Sequence, residues 1–484
     1  MSFRQLVLPD VINDPKRDLS RKAAFHLAEP RTWAGVRLAR EHFGVIKFSL
    51  RDARPTRKAS MRCAWGGPDG LRTQAQAACS RSIAAHASPP GALSLASLLL
   101  GSSKSHFSAS AQIVTAAAST NRAVRLMTKT YTAYVGSRTT KERGARGEGI
   151  NVYSVNAESG RWTHVQLVSG LLNPSFLAFD RQQKFLFTVH GDSSEISSFK
   201  IDDKAGTLTA INQESTQGKN PVHLTIDPTN RFILVANHIT STIAVLPLNS
   251  DGSIGKLTDL LPLKGKIGPH RVEQPFAKPH QVQLDPAGRF FSVPDKGLDL
   301  TFTFRLDASH GKLHPIDAPP AQAREGAGPR HITFHPSRPF AYVINELDST
   351  VTACRYGPGS GRLEPFQILS SLPDTFVGNS RASEIEISAD GRFVYASNRG
   401  YDSIAIFAVD PATGQMTSVG WQENYGKTPR FFAIDPTQRL MFVANEESDT
   451  IVTFKIDKGR GTLERTGDVV ETGSPVCIVF RRVA

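Results

Sequence analysis

Four cysteines in 484 residues, at 63, 79, 354 and 477, have neither metal-ligand spacing nor the density of a disulfide scaffold. Cys354 and Cys477 fall in predicted strands and are expected to be buried small apolar residues. No apolar run approaches the roughly 20 residues of a membrane-spanning helix. The candidate histidines His238 and His280 stand in no His-x-x-x-His pair, and the acids near them are interleaved with cations, so no metal is expected. No glycine-rich phosphate loop sits between a strand and a helix, so no nucleotide cofactor is expected either.

An evenly spread positive charge is also missing. The net charge of +13 suggests a polyanionic partner until it is divided along the chain. Residues 1–126 hold 19 basic and 7 acidic residues; the rest holds 38 and 37. The remainder is nearly neutral, and neither nucleic acid nor a membrane is expected as a partner. The N-terminal quarter has no repeat. Gly91–Leu100 could form the apolar centre of a signal peptide, with Ser108–Ala111 as its cleavage region, if translation starts internally at Met61. The favoured reading is that translation begins at Met127, residues 1–126 being an upstream or disordered extension. An accessory segment is the third option. The expected location is cytoplasmic.

What is present is a repeat. Pro336 marks a turn between two short strands, Ile332–Phe334 and Phe340–Ile344. Equivalent turn positions are Arg181, Pro228, Pro286, Ala389 and Pro436, at intervals of 47, 58, 50, 53 and 47 residues. A proline stands seven residues earlier (Ala382 in one copy). Nine residues later stands His190, Asn237, Asp295, Asn345, Asn398 or Asn445. A third β-rich run follows, such as Ser403–Phe407 or Thr450–Phe454, then a weaker one as at Gly461–Leu463. That spacing, with about four strands per copy, predicts an all-β propeller over 127–484. Met127 to about Leu172 supplies three strands, Tyr131–Val135, Gly149–Val155 and Trp162–Leu167, without the opening strand. Gly473–Phe480 matches that missing strand. Six copies plus this composite predict seven blades, the ring closed by the C-terminal strand, which should remove free sheet edges.

Two antiparallel strands joined by a turn bring their outer ends together. The residue after each strand-opening position (Ser175, Val222, His280, Arg330, Ser383, Arg430, Val476) should therefore share one mouth with a second set. That set follows the Asn/Asp position: Gly191, His238, Lys296, Glu346, Arg399 and Glu446. Shared residues build a scaffold; divergent ones at equivalent positions build a site. The four asparagines are expected to be turn residues. Arginines and lysines around a cavity suit carboxylate or phosphate oxygens. A carboxylate and an imidazole can move protons, and a cation can stabilise the oxyanion of an attacked carbonyl. Together they suit opening or closing a lactone on an anionic molecule.

At this point the chain resembles the seven-bladed propeller lactonases, a family that includes propeller-type 6-phosphogluconolactonases and fungal carboxymuconate lactonizing enzymes. The resemblance covers about 130–482. It rests on Pro279–Pro286, Val293–Gly297, Gly328–His331, Asn345–Leu347, Ser383–Ile385, Ser397–Gly400 and Thr428–Arg430. It implies that His280, Arg330, Arg399 and Glu346 are the catalytic residues. Many members carry a second histidine two residues before the His280 equivalent; this chain has Lys278. The expected activity is hydrolysis of a phosphorylated sugar lactone, 6-phosphogluconolactone, to 6-phosphogluconate. Either Glu346 or His280 would be the base. Lys296, Arg430, His238 and Glu446 would contact substrate. Replacing Glu346 with Gln is expected to abolish turnover with little loss of folding. A cycloisomerase forming a carboxymuconolactone and a non-catalytic anion- or protein-binding propeller are the alternatives.

Overall fold

Each copy is built outward from its hairpin turn. Asp227 Oδ1 accepts the N–H groups of Arg231 and Phe232, both at 2.7 Å. Asp435 does the same for Arg439 and Leu440, both at 2.8 Å. Asp180 and Asp285 repeat the device. A carboxylate that satisfies the turn locally fixes which residues face each other in the two strands.

The computed structural model describes residues 129–482; the expectations for residues 1–126 and for Met127 lie outside them. The described chain is all-β apart from one 3-10 turn, Lys141–Arg143. Seven antiparallel sheets form the blades. Blade 1 contains Thr130–Ser137, Gly149–Asn156 and Trp162–Ser169, with Pro475–Arg482 as its innermost strand. Blades 2 and 3 open with Pro174–Phe179 and Pro221–Ile226. Blade 4 opens with only Gln283–Leu284, after a long insertion, and gains an extra pairing of Ala321–Gln322 with Leu300–Asp307. Blades 5, 6 and 7 open with Pro329–Phe334, Arg381–Ile387 and Pro429–Ile434. The strands read from sequence are all present. The weak one placed at Gly461–Leu463 instead starts at Leu463 and runs to Glu471.

The closing strand pairs along Thr130–Ser137, from Tyr131↔Arg482 to Ser137↔Pro475. Its side chains reach both ways. Ile478 packs with Phe442 and Ala444 of blade 7, and Cys477 with Leu177 and Phe199 of blade 2. Cys354 and Cys477 are both buried. The expected removal of free edges does not occur: the innermost and outermost strands of each blade keep an unpaired edge, and in blade 1 the closing strand is itself the inner one. The core lies between blades, and tyrosines staple them: Tyr134, Tyr342 and Tyr395 donate to the carbonyls of Gly206, Gly414 and Gly461 in the next blade.

One irregularity recurs and positions the site. Pro329 faces Asn345, but pairing resumes only at His331↔Ile344. Blades 2, 3 and 7 show the same shift one residue past their proline. A bulge leaves its extra residue outside the ladder and re-aims the side chain. The residue after each opening proline is that extra residue.

Candidate active site

The asparagines at the ends of the second strands are buried latches. Asn345 donates to Thr350 and Thr352 at 2.9 and 3.0 Å, Asn237 to Thr242 at 3.1 Å, and Asn398 to the Ser371 carbonyl at 2.7 Å. Asp295 accepts the N–H groups of Lys278, Gly297 and Leu298. This scaffold fixes the backbone at the mouth, and the residue one position further on carries the chemistry.

Glu346 is the hub. Lys296 Nζ lies 3.2 Å from its Oε1; Arg330 Nε and Arg399 Nη2 lie 3.3 and 3.4 Å from its Oε2. Arg381 approaches to 3.7 Å. Burial alone would raise the Glu346 carboxyl, but Arg399, Lys296, Arg330 and Arg430 outweigh it and hold it well below the usual range. Such a carboxylate is a weak base; it organises the cations. Arg330 is further fixed by donating to the Ser383 carbonyl at 2.6 Å, and Arg399 to that of Ala382 at 2.9 Å. Burial and the neighbouring Arg399 and Arg430 bring Arg330 down to about 9, still a cation at neutral pH.

Glu273 and Lys278 come from the blade 4 insertion. Glu273 bridges Lys296 at 3.1 Å and Arg381 at 2.7 Å. Lys278 is buried, its ammonium lies 5.0 Å above the Phe276 ring, and no carboxylate of the described residues pairs with it. Burial, then Lys296, lower its pKa.

A second group centres on Glu446, which faces Arg430 at 3.6 Å and Arg138 at 3.9 Å. Arg138 is only 4% exposed, and its Nε and Nη1 donate to no protein acceptor. Burial and Arg430 push its pKa down to about 9. Gly191 makes room for it, since a Cβ there would lie 2.5 Å from Arg138 Nη1.

The imidazoles form the floor. His280 Nδ1 is 3.2 Å from His331 Nε2, and His331 Nδ1 is 2.9 Å from Glu384 Oε1. The His238 ring stands 5.3 Å from that of His280, and its Nδ1 donates to the Pro279 carbonyl at 3.2 Å, which leaves Nε2 an acceptor. Burial above all holds His280, His331 and His223 well below the ordinary value, and His238 at about 3, so all four are neutral near pH 7. Phe176 stacks on His223 at 3.9 Å and meets Phe431 at 6.2 Å, while His223 meets His331 at 5.8 Å. Side chains of blades 2, 3, 5 and 7 thus meet across the channel beneath the mouth.

The structure therefore brings together His280, His238, Lys296, Arg330, Glu346 and Arg399, and pairs Arg430 with Glu446. Sequence reasoning missed Arg138, Glu273, Arg381, His331 and Glu384. Arg138 was findable: it follows Ser137, which faces Pro475 as Asn345 faces Pro329. Among the described residues no cluster of His, Cys, Asp or Glu is placed to hold a metal ion, and no helix is long and apolar enough to cross a membrane.

Residues 132–480 match the family described as lactonase, 7-bladed beta-propeller. The 6-phosphogluconolactonase of Bacillus subtilis is 34% identical over 357 residues, covering 73% of this chain and 99% of that protein. That of Formosa agariphila is 34% identical over 361 residues, covering 72% and 99%. Among solved structures, a putative 6-phosphogluconolactonase of Bacteroides fragilis is 30% identical with a TM-score of 0.68, covering 73% of this chain and 98% of that one. The periplasmic gluconolactonase of Pseudomonas aeruginosa is 31% identical with a TM-score of 0.68, covering 73% and 100%. The chain belongs to the seven-bladed β-propeller lactonase family and is a lactonase.

Proposed function

We propose that this lactonase hydrolyses a phosphorylated sugar lactone, 6-phospho-D-glucono-1,5-lactone, to the open acid. One observation carries the choice of an anionic substrate. Seven cations (Arg138, Lys278, Lys296, Arg330, Arg381, Arg399, Arg430) gather with three carboxylates (Glu273, Glu346, Glu446). The surplus of four positive charges favours an anion.

His280 is the base. It is neutral, and its Nδ1 is engaged below by His331, which leaves Nε2 for the attacking water. As water adds to the carbonyl carbon, Nε2 takes its proton, and the remaining N–H groups of Arg330 and Arg399 receive the oxyanion. Collapse breaks the ring C–O bond, and the same nitrogen returns the proton to the leaving ring oxygen. Glu346 holds Lys296, Arg330 and Arg399 in place. His238 Nε2 accepts a sugar hydroxyl. Arg138 and Arg430, on the Glu446 side, take the phosphate; a guanidinium with undonated N–H groups matches phosphate oxygens.

The test is hydrolysis of freshly made 6-phosphogluconolactone, with the spontaneous rate subtracted, beside unphosphorylated gluconolactone. A kcat/KM at least about tenfold higher for the phosphorylated lactone is expected, since one charge-assisted contact is worth about 1.5–3 kcal/mol. Equal turnover of both would defeat the phosphate assignment, and no turnover of either would defeat the substrate assignment.

A further inference from the structure

Two imidazole nitrogens 3.2 Å apart need one proton between them, so the tautomers of His280 and His331 are tied together. The His331–Glu384 contact at 2.9 Å ties the second imidazole to a carboxyl group in the same way. The three groups come from blades 4, 5 and 6, and each is no more than 6% exposed. Glu384 also accepts its neighbour's N–H, from Ile385, on Oε1 at 3.1 Å, and its Oε2 has no partner.

We propose that Glu384 is the proton terminus for His280, reached through His331. This rests on the assignment of His280 as base. With Glu384 ionised, His331 donates from Nδ1 to the carboxylate and accepts at Nε2 from His280 Nδ1. His280 Nε2 then presents a lone pair. When it takes a proton from water, its Nδ1 proton passes to His331 Nε2, and the His331 Nδ1 proton passes to Glu384. Three protons shift by one place; no imidazolium is left where burial opposes it. Collapse of the intermediate runs the sequence backwards. With Glu384 protonated at rest, every hydrogen bond in the chain points the other way. His280 Nε2 then carries a hydrogen and cannot act as base. Glu384 and His331 touch no substrate atom; they set the state of His280.

The surroundings make that switch accessible. Burial raises the Glu384 carboxyl to about 8, against the lowering pull of Arg330 and Arg430. Glu386 on the same strand and Cys477 on the closing strand also lie within its field. The base form is therefore populated as pH rises through about 8.

Two measurements on the full chain decide it. The first is the pH profile for the phosphorylated lactone. Wild type should show kcat/KM rising through an inflection near pH 8. Glu384→Gln still accepts from His331 Nδ1 but cannot store a proton. It should lose about 10²–10³-fold in kcat, keep KM, and lose the inflection; Glu384→Asp should restore part of both. The second is ¹⁵N-histidine NMR without substrate, with resonances assigned by single His→Gln variants. His280 and His331 should exchange tautomers together across pH 7–9, both staying neutral, and should not do so in Glu384→Gln. An unchanged profile in Glu384→Gln, or fixed tautomers in wild type, overturns the relay. A tautomer exchange without lactone turnover instead defeats the functional reading and leaves the relay standing. If Glu384→Gln does not fold, the Asp variant and the wild-type spectra still decide.

Discussion

Ring closure is the feature most open to a clean perturbation. Ending the chain after Ser474 removes the innermost strand of blade 1. Val476 and Ile478 are 3% and 2% exposed, and their burial contributes about 3–6 kcal/mol together. Cys477, fully buried against blade 2, adds to this. The loss also strips Thr130–Ser137 of its partner and uncovers Phe442 on one side and Leu177 on the other. Against a net stability of about 5–15 kcal/mol, that is most or all of what holds the ring shut. The shortened chain should lose its cooperative thermal transition and elute as aggregate. A synthetic peptide of residues 473–484 should restore a transition when added in trans. Ile478→Ala, costing about 2–5 kcal/mol, should keep the fold but melt lower. A shortened chain melting within about 2 °C of the full one would show that the packing around Pro475–Arg482 does not carry the closure.

Arg138→Gln should raise KM for the phosphorylated lactone about tenfold or more and leave the unphosphorylated one unchanged, read from initial rates. Gly191→Ala should mimic it in part, because the added Cβ meets Arg138; unchanged kinetics would show that the guanidinium is not held in that space. Glu346→Gln should abolish turnover and also lower stability by about 3–5 kcal/mol, measured by denaturant melts, because four cations lose their shared counter-charge. Glu386 is raised by burial to about 8, so the wild type loses stability as pH rises from about 4.5, where the unfolded carboxyl ionises, to about 8, and the loss is complete above that. Glu386→Gln should therefore gain stability relative to wild type between about pH 4.5 and 8 and hold that gain above pH 8; a constant difference in melting temperature across pH 4.5–8 would refute the shift.

The propeller was legible because its punctuation repeats: proline before the opening strand, turn residues between strands, asparagine after the second. The Arg330–Glu346 pairing followed from hairpin geometry alone. What escaped had physical reasons. Glu273 sits where the blade 4 insertion breaks the repeat, so no equivalent position pointed at it, whereas Lys278, beside the aligned Pro279, stood out as a departure from the family pattern. Arg381 precedes the aligned residue Ala382 and reaches the mouth only through its length. His331 and Glu384 lie inside strands, two residues after the opening positions Pro329 and Ala382, where alternation reads as packing. The revised expectation for Glu346→Gln has the same origin, since one sequence position cannot reveal how many cations converge on it.

The side chains that meet across the axis also decide traffic. Phe176 lies against His223 and Phe431, and His223 against His331, so rings from four blades narrow the channel below the mouth. An anionic product of the proposed reaction would depart against the attraction that drew its precursor in.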